Sequence, residues 1–352
     1  MLKILSIIGA RPQFIKAAPV SREISRREGI NEVILHTGQH FDKNMSDVFF
    51  KQLDIPEPDY NLGINMLKHG AMTGRMMEKA EEIIEKEKPD WTLVYGDTNS
   101  TLAGSLAAKK LHIRTAHVEA GLRSFNMRMP EEINRIVTDR ISDLLFCPTE
   151  KAVENLMNEG YDNMGINIVN CGDVMYDAAL YYSGMSRKPA FEVPEEYILA
   201  TMHREENITD PVRLKSVIDA LNRISGEIQV IMPMHPGTRK VIENQKIKCS
   251  FEIIDPVGYL EMVYLLKNCK LVMTDSGGMQ KEAYFFHKPC VTLRDETEWV
   301  ELVENGYNII AGSNKEKIYE CYRTMSGKTP DYSTNLYGTG KAAEIIVDEL
   351  AR

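Results

Sequence analysis

Apolar residues along this chain gather in short continuous runs, and between them lie longer stretches in which apolar positions recur every three or four residues. In the first half the runs fall at residues 4–8, 33–36, 92–95, 115–118, 144–146 and 168–169. A second series falls at residues 197–201, 228–232, 251–254, 271–274, 290–293 and 308–311. A continuous apolar run suits a strand buried on both faces, and strand followed by helix, repeated, predicts a parallel sheet covered on both sides. Between the two series, residues 183–194 are broken by glycine, proline and charge and read as a linker. The pattern predicts an α/β protein of two Rossmann-like, doubly wound domains, residues 1–182 and 195–338. A last helix, within residues 339–352, is expected to cross back to the first domain. Ligands of such folds sit outside the carboxyl ends of the strands, which places the expected site in a cleft between the two domains.

Composition narrows the partners. The chain has 352 residues, 43% of them apolar, and a formal net charge of -9, so neither nucleic acid nor an anionic membrane surface is the expected partner. No apolar stretch approaches membrane-spanning length and no signal-peptide pattern opens the chain, so a cytoplasmic location is expected. The six cysteines (Cys147, Cys171, Cys249, Cys269, Cys290 and Cys321) lie far apart and read as reduced core thiols; no metal site is expected. Neither half carries GxGxxG, so no dinucleotide fingerprint is present and no cofactor is expected.

Charge concentrates where strands end. Residues 117–135 read HVEAGLRSFNMRMPEEINR and place Glu119 just after a strand, with Glu131 and Glu132 in the first turn of a helix that begins at Pro130. Helix-dipole complementation explains the latter pair alone, but not the gathering of Glu119, Arg123, Arg128 and Arg135 around one turn. After the first strand, Gly9 permits close backbone approach, and Arg11 and Lys16 suit a diphosphate. Asp97 follows the run 92–95; Thr98, Asn99 or Ser100 can cap the helix behind it, which leaves Asp97 to face a ligand. In the second half, Asp275-Ser276-Gly277-Gly278 opens a helix whose unpaired N–H groups suit a phosphate, and Glu282 one turn on suits ribose hydroxyls. His203 and His235 leave two further strands on the same rim.

Taken together, GxRPxxIK (Gly9 to Lys16), GDTNST (96–101), HVEAGLRS with PEEINR, HRE (203–205) and TDSGGMQKEA (274–283) resemble the UDP-N-acetylglucosamine 2-epimerase family over nearly the whole chain. The resemblance implies the two-domain glycosyltransferase-B fold, a UDP-sugar substrate, a homodimer, and reversible inversion at C2 of UDP-N-acetylglucosamine to UDP-N-acetylmannosamine. It implies catalytic roles for Asp97, Glu119, Glu131 and His203 with Arg135 in support, and nucleotide contacts from Arg11, His235, Ser276, Gly277 and Glu282. Glu205 and Trp299 stand where many relatives carry arginine, which bears on diphosphate contacts or on preference for a modified sugar. Gln39 and His40 match an activating site of bacterial members.

Three other enzymes and one non-enzyme share these features. A hydrolysing epimerase would release N-acetylmannosamine and UDP. A related epimerase would act on a modified UDP-sugar. A glycosyltransferase would need an acceptor, and a UDP-sugar sensor would bind without turnover; the carboxylates at 97, 119 and 131 argue against the sensor.

Overall fold

The computed structural model describes residues 1–39 and 55–352; His40 and the side chain of Arg11 lie outside what is described. The chain divides into two compact units, Met1–Leu180 with Asn335–Arg352, and Tyr181–Thr334.

Unit 1 is built on β1 (Leu2–Ile8), β2 (Ile30–His36), β3 (Tyr60–Asn61), β4 (Trp91–Tyr95), β5 (Arg114–Val118), β6 (Leu144–Cys147) and β7 (Asn167–Asn170). They form one seven-stranded sheet in the order β3-β2-β1-β4-β5-β6-β7, every pair parallel. β4 is buried at all five positions, as a strand with helices on both faces must be. Leu5, Ile7, Leu35 and Val94 pack there with Ala80, Ile84, Ala107 and Ala108 of the flanking helices. The small residues let the helix Asn99–Lys110 lie close to the sheet.

Unit 2 repeats the plan with β8 (Tyr197–Thr201), β9 (Gln229–Pro233), β10 (Glu252–Ile254), β11 (Leu271–Thr274), β12 (Cys290–Thr292) and β13 (Asn308–Ile310), in the order β10-β9-β8-β11-β12-β13. In each sheet the chain winds one way from the central strand and then the other. The reversal falls between β1 and β4 in unit 1 and between β8 and β11 in unit 2. At such a point the loops leave in opposite directions and open a crevice at the carboxyl ends of the strands. The expected fold class, two doubly wound α/β halves, is the one found.

Two segments depart from a simple reading of the pattern. Residues 183–194, which look like a linker, belong to unit 2: the Arg187 N–H donates to the Leu260 carbonyl at 3.2 Å, and Phe191 and Val193 pack against that unit's core. Two apolar side chains outweigh the surrounding glycine and proline. At the far end, the helix Ala342–Leu350 buries Ala342, Ile346, Val347 and Leu350 in unit 1. Asp177 receives its first N–H groups, Ala342 N at 3.1 Å and Ala343 N at 2.8 Å. Burial pushes the Asp177 carboxyl up to about 6 against these bonds.

Candidate functional site

In unit 1 the candidate residues collect at the ends of β1, β4 and β5, on either side of the reversal. Gln13 locks the first turn: its Oε1 accepts from Gly9 N (2.8 Å) and Ala10 N (3.0 Å), and its Nε2 donates to the Tyr95 carbonyl (2.8 Å). One turn further along the helix Arg11–Ser25, the Lys16 ammonium pairs with Glu119 Oε2. Both side chains are nearly buried. Lys16, expected to face a diphosphate, is paired with a carboxylate. Glu119 itself adopts φ of 73°, a left-handed conformation that costs a non-glycine residue about 1 kcal/mol or more. That backbone is held by Glu119 N and Ala120 N, which both donate to the Phe146 carbonyl at 3.1 and 3.0 Å. Gly96 also has positive φ, and a Cβ there would lie 2.9 Å from Lys16 Nζ and 3.2 Å from Glu119 Oε2. No side chain fits between that turn and the ion pair.

Asp97 is not the cap of the next helix. Thr98 takes that role, its Oγ1 accepting from Thr101 N at 3.4 Å. The Asp97 carboxylate instead receives Arg135 through Nε at 3.1 Å and Nη2 at 3.0 Å. Arg135 gives Nη1 to Glu132 Oε2 at 2.6 Å, and Glu132 also accepts from Ser124 N, Ser124 Oγ and Phe125 N. Asn134 donates to the Asp97 carbonyl at 2.9 Å. The helix Pro130–Ile141 thus delivers Asn134 and Arg135 to one turn, with Glu131 half-buried at the helix start. Glu131 makes no hydrogen bond or ion pair among the described residues.

Beneath this surface lies a set of charges that sequence reasoning missed. His117 Nε2 is 2.7 Å from the Gly96 carbonyl oxygen and Nδ1 is 2.7 Å from Asp139 Oδ1. Asp139 Oδ2 accepts from Arg123 Nη1 at 2.7 Å and Gly121 N at 3.1 Å. Arg123, expected to gather with Glu119, Arg128 and Arg135 around one turn, pairs with Asp139 and makes a bidentate pair with Glu159 at 2.7 and 2.9 Å. Burial works against the Asp139 charge, but His117 and Arg123 outweigh it and hold the carboxyl below its ordinary range. Arg128 is exposed, its backbone N–H on Asn126 Oδ1.

Unit 2 carries the other predicted residues. Ser276 caps the helix Gly277–Phe285, its side chain accepting from Met279 N at 3.4 Å. A Cβ at Gly277 would lie 2.4 Å from Glu298 Oε1, so a side chain there would displace the Glu298 carboxylate from the helix start. Gly278 follows in the same turn. Trp299 is buried with the Lys281 ammonium 4.1 Å from its ring centre. Glu282 is buried and accepts from the Tyr259 hydroxyl at 3.0 Å; burial pushes that phenol well up, so it stays the donor. His235 caps the helix Pro236–Asn244 through Nδ1, which accepts from Gly237 N at 3.1 Å and so leaves the proton of a neutral ring on Nε2. His203 is exposed, and its loop hangs on Asp275: His203 N, Arg204 N and Asn207 Nδ2 all donate to that carboxylate at 3.0–3.1 Å. Asp275 lies within the run TDSGGMQKEA (274–283), where only its position at a strand end points to this role.

Two parallel doubly wound sheets with this carboxylate and cation set at the strand ends are what the motifs imply for a nucleotide-sugar epimerase. A family model described as UDP-N-acetylglucosamine 2-epimerase matches residues 22–351. The chain belongs to this family. It is 57% identical over 353 residues to UDP-2,3-diacetamido-2,3-dideoxy-D-glucuronate 2-epimerase of Pseudomonas aeruginosa, covering 100% of both chains. It is 43% identical to UDP-N-acetylglucosamine 2-epimerase of Methanocaldococcus jannaschii over 98% of each. A crystal structure of the Methanocaldococcus jannaschii UDP-GlcNAc 2-epimerase in complex with UDP-GlcNAc and UDP is similar at 42% identity and a TM-score of 0.92, over 99% of each chain. Within the family, no helix of this chain is long and apolar enough to cross a membrane among the described residues.

Proposed function

We propose that the chain inverts C2 of a UDP-linked 2-acetamido sugar, with the sugar still carried on UDP at the end of the reaction. The observation that carries this reading is the fixed placement of Asp97 and Glu119 at the ends of β4 and β5, each against its own cation, with Glu131 at the adjoining helix start.

The C2 proton is not next to a carbonyl, so a carboxylate alone does not remove it from the intact sugar. As the C1–O bond to UDP breaks, the ring becomes oxocarbenium-like and the C2 proton acidic. A carboxylate takes that proton, the C2–H electrons form the C1=C2 bond of a glycal, and the departing UDP oxygen takes the electrons of the broken C1–O bond. Return of a proton to the other face of C2 and re-addition of UDP at C1 gives the epimer. Asp97, Glu119 and Glu131 are assigned to the two faces of C2, with Arg135 aligning Asp97. His203 is assigned to the same chemistry. In unit 2, the N–H groups at Gly277 and Gly278, with Ser276 and His235 Nε2, are assigned to the diphosphate, and Glu282 to the ribose. Arg11 and Lys16 are also assigned to the diphosphate, Lys16 while paired with Glu119.

A specific observation favours a modified sugar over UDP-N-acetylglucosamine. Identity is 57% to the diacetamido-glucuronate epimerase and 43% to the N-acetylglucosamine enzyme, at nearly full coverage in both. Glu205 and Trp299 are the positions at which the family resemblance leads one to expect arginine, and Trp299 is buried on Lys281. Incubation with each UDP-sugar in deuterated water, followed by proton NMR of C1 and C2, separates the readings. The expected product stays nucleotide-linked and carries deuterium at C2, and the 2,3-diacetamido uronate turns over faster. Free sugar as sole product would select the hydrolysing reaction, and product without deuterium would contradict proton removal to an exchanging group.

A further inference from the structure

We infer that His117 is held as an imidazolium and is a positioning residue for the Gly96–Asp97 turn. A neutral imidazole has one donor and one acceptor nitrogen. His117 presents both nitrogens to acceptors: Nε2 to the Gly96 carbonyl and Nδ1 to Asp139 Oδ1, each at 2.7 Å. A carbonyl oxygen carries no proton, so Nε2 donates there. The remaining choice is which atom holds the proton between Nδ1 and Oδ1. Asp139 Oδ2 already accepts from Arg123 Nη1 and Gly121 N, two donors that stabilise the anion, so the proton stays on Nδ1. The charges then balance: two cations, His117 and Arg123, face two carboxylates, Asp139 and Glu159. From β6, the neighbouring Cys147 thiol is pushed well up by burial and adds no charge.

The arrangement acts on the turn above it. Gly96 has φ of 63° and Glu119 φ of 73°, two left-handed residues at the ends of adjacent strands. Gly96 N donates to the Val118 carbonyl at 2.9 Å, and the imidazolium takes the Gly96 carbonyl, so both polar groups of the residue before Asp97 are tied to β5. A charged donor makes the stronger of these bonds. If the ring lost its charge its bond to the Gly96 carbonyl would weaken, and if it were replaced that bond would be gone; the peptide linking Gly96 to Asp97 would then be held less firmly, and the Asp97 carboxylate would shift relative to Glu119. Misplacement of a reacting group by about 1 Å costs on the order of a hundredfold in rate.

This inference rests on the assignment of Asp97 and Glu119 to acid/base chemistry. Long-range proton–nitrogen correlation NMR of the free protein, with His117→Gln used to assign the signal, is expected to show both ring nitrogens protonated at pH 8. An unprotonated Nδ1 overturns the inference. With the UDP-sugar that the wild type converts best, folded His117→Gln is expected to lose about tenfold or more in kcat while KM stays within about twofold. Unchanged kcat, or a change in KM alone, overturns it. Should His117→Gln not fold, Asp139→Asn serves: its amide donates to Nδ1, so a neutral ring with lowered kcat is expected, and wild-type kcat with a neutral ring overturns the role. A wild type inert to every UDP-sugar offered would instead remove the functional reading, and the proton position on the free protein then decides this inference by itself.

Discussion

Each unit keeps a fully buried aspartate under the loop that presents its candidate residues, Asp139 in unit 1 and Asp275 in unit 2, and the two differ in what mainly satisfies them. Asp139 meets side-chain charge, from Arg123 and His117. Asp275 meets chiefly backbone and amide N–H groups, from His203, Arg204 and Asn207, with the exposed His203 ring farther off at 3.4 Å. A third carboxyl sharpens the contrast. Glu32 accepts from Ser6 Oγ at 2.5 Å, and burial, with the Asp59 carboxylate nearby, raises it to about 7. Beside the pair with Asp139, this sets an acid raised by burial and a like charge against one that cationic partners hold below its ordinary range. The difference teaches where each unit is brittle: unit 1 in the balance of charges, unit 2 in the shape of a loop.

The largest expected effect follows from removing the acid that two cations share. Asp139→Ala should destabilise unit 1 by about 4 kcal/mol, the scale for leaving a buried charge unpaired. Urea unfolding checks this. Because the Asp139 carboxyl is held below its unfolded value of 3.8, its stabilisation is present above that value and fades as pH falls through the lower folded one, so the deficit should shrink in acid.

Next come the site residues themselves. Asp97→Asn and Glu119→Gln should each cut kcat by about a hundredfold, while Ser276→Ala and Glu282→Ala should act mainly on UDP affinity. Steady-state kinetics paired with calorimetric titration of UDP separates the two patterns. A loss of UDP binding from the unit 1 substitutions would break the division between units.

A smaller effect is expected at the second aspartate. Asp275→Ala leaves N–H donors rather than charges behind, so about 2 kcal/mol is expected, with looser His203 and weaker UDP binding. A cost equal to that of Asp139→Ala, measured in the same urea series, would erase the comparison.

Smallest is Glu32→Gln. Folded Glu32 titrates near 7 against 4.5 in the unfolded chain, so its stabilisation is complete below 4.5 and lost as pH rises through 7. The variant should match the parent at pH 4.5 and exceed it by about 1 kcal/mol at pH 8, read from thermal unfolding at both values.

These partnerships also mark what a single sequence conveys. Strands of such sheets announce themselves as short apolar runs, so twelve of them were legible, the partly exposed β7 and β10 included; the edge strand Tyr60–Asn61 is too short to show a pattern. Residues at strand ends were legible for the same reason, since fold class fixes where loops gather. Partners were not. Lys16 resembles any solvent-facing lysine until the fold brings Glu119 from 103 residues away, and Arg123 joins its neighbours in sequence but leaves them in space. Glu132 looked like a second dipole acid and proves to be the acceptor that holds Ser124 and Phe125. Residue type reveals what a group can do, while the fold alone decides whom it meets.

The helix Ala342–Leu350 completes unit 1 from the far end of the chain. On the ribosome the sheet of unit 1 emerges first, yet Asp177 and the groove awaiting Ile346 and Leu350 stay uncovered until all of unit 2 has been made. The usual order of synthesis, in which the leading domain closes before the next begins, is therefore inverted. Unit 2 is contiguous and can finish folding while its predecessor still waits for a last piece, so the nascent chain spends the interval with an apolar seam open to chaperones.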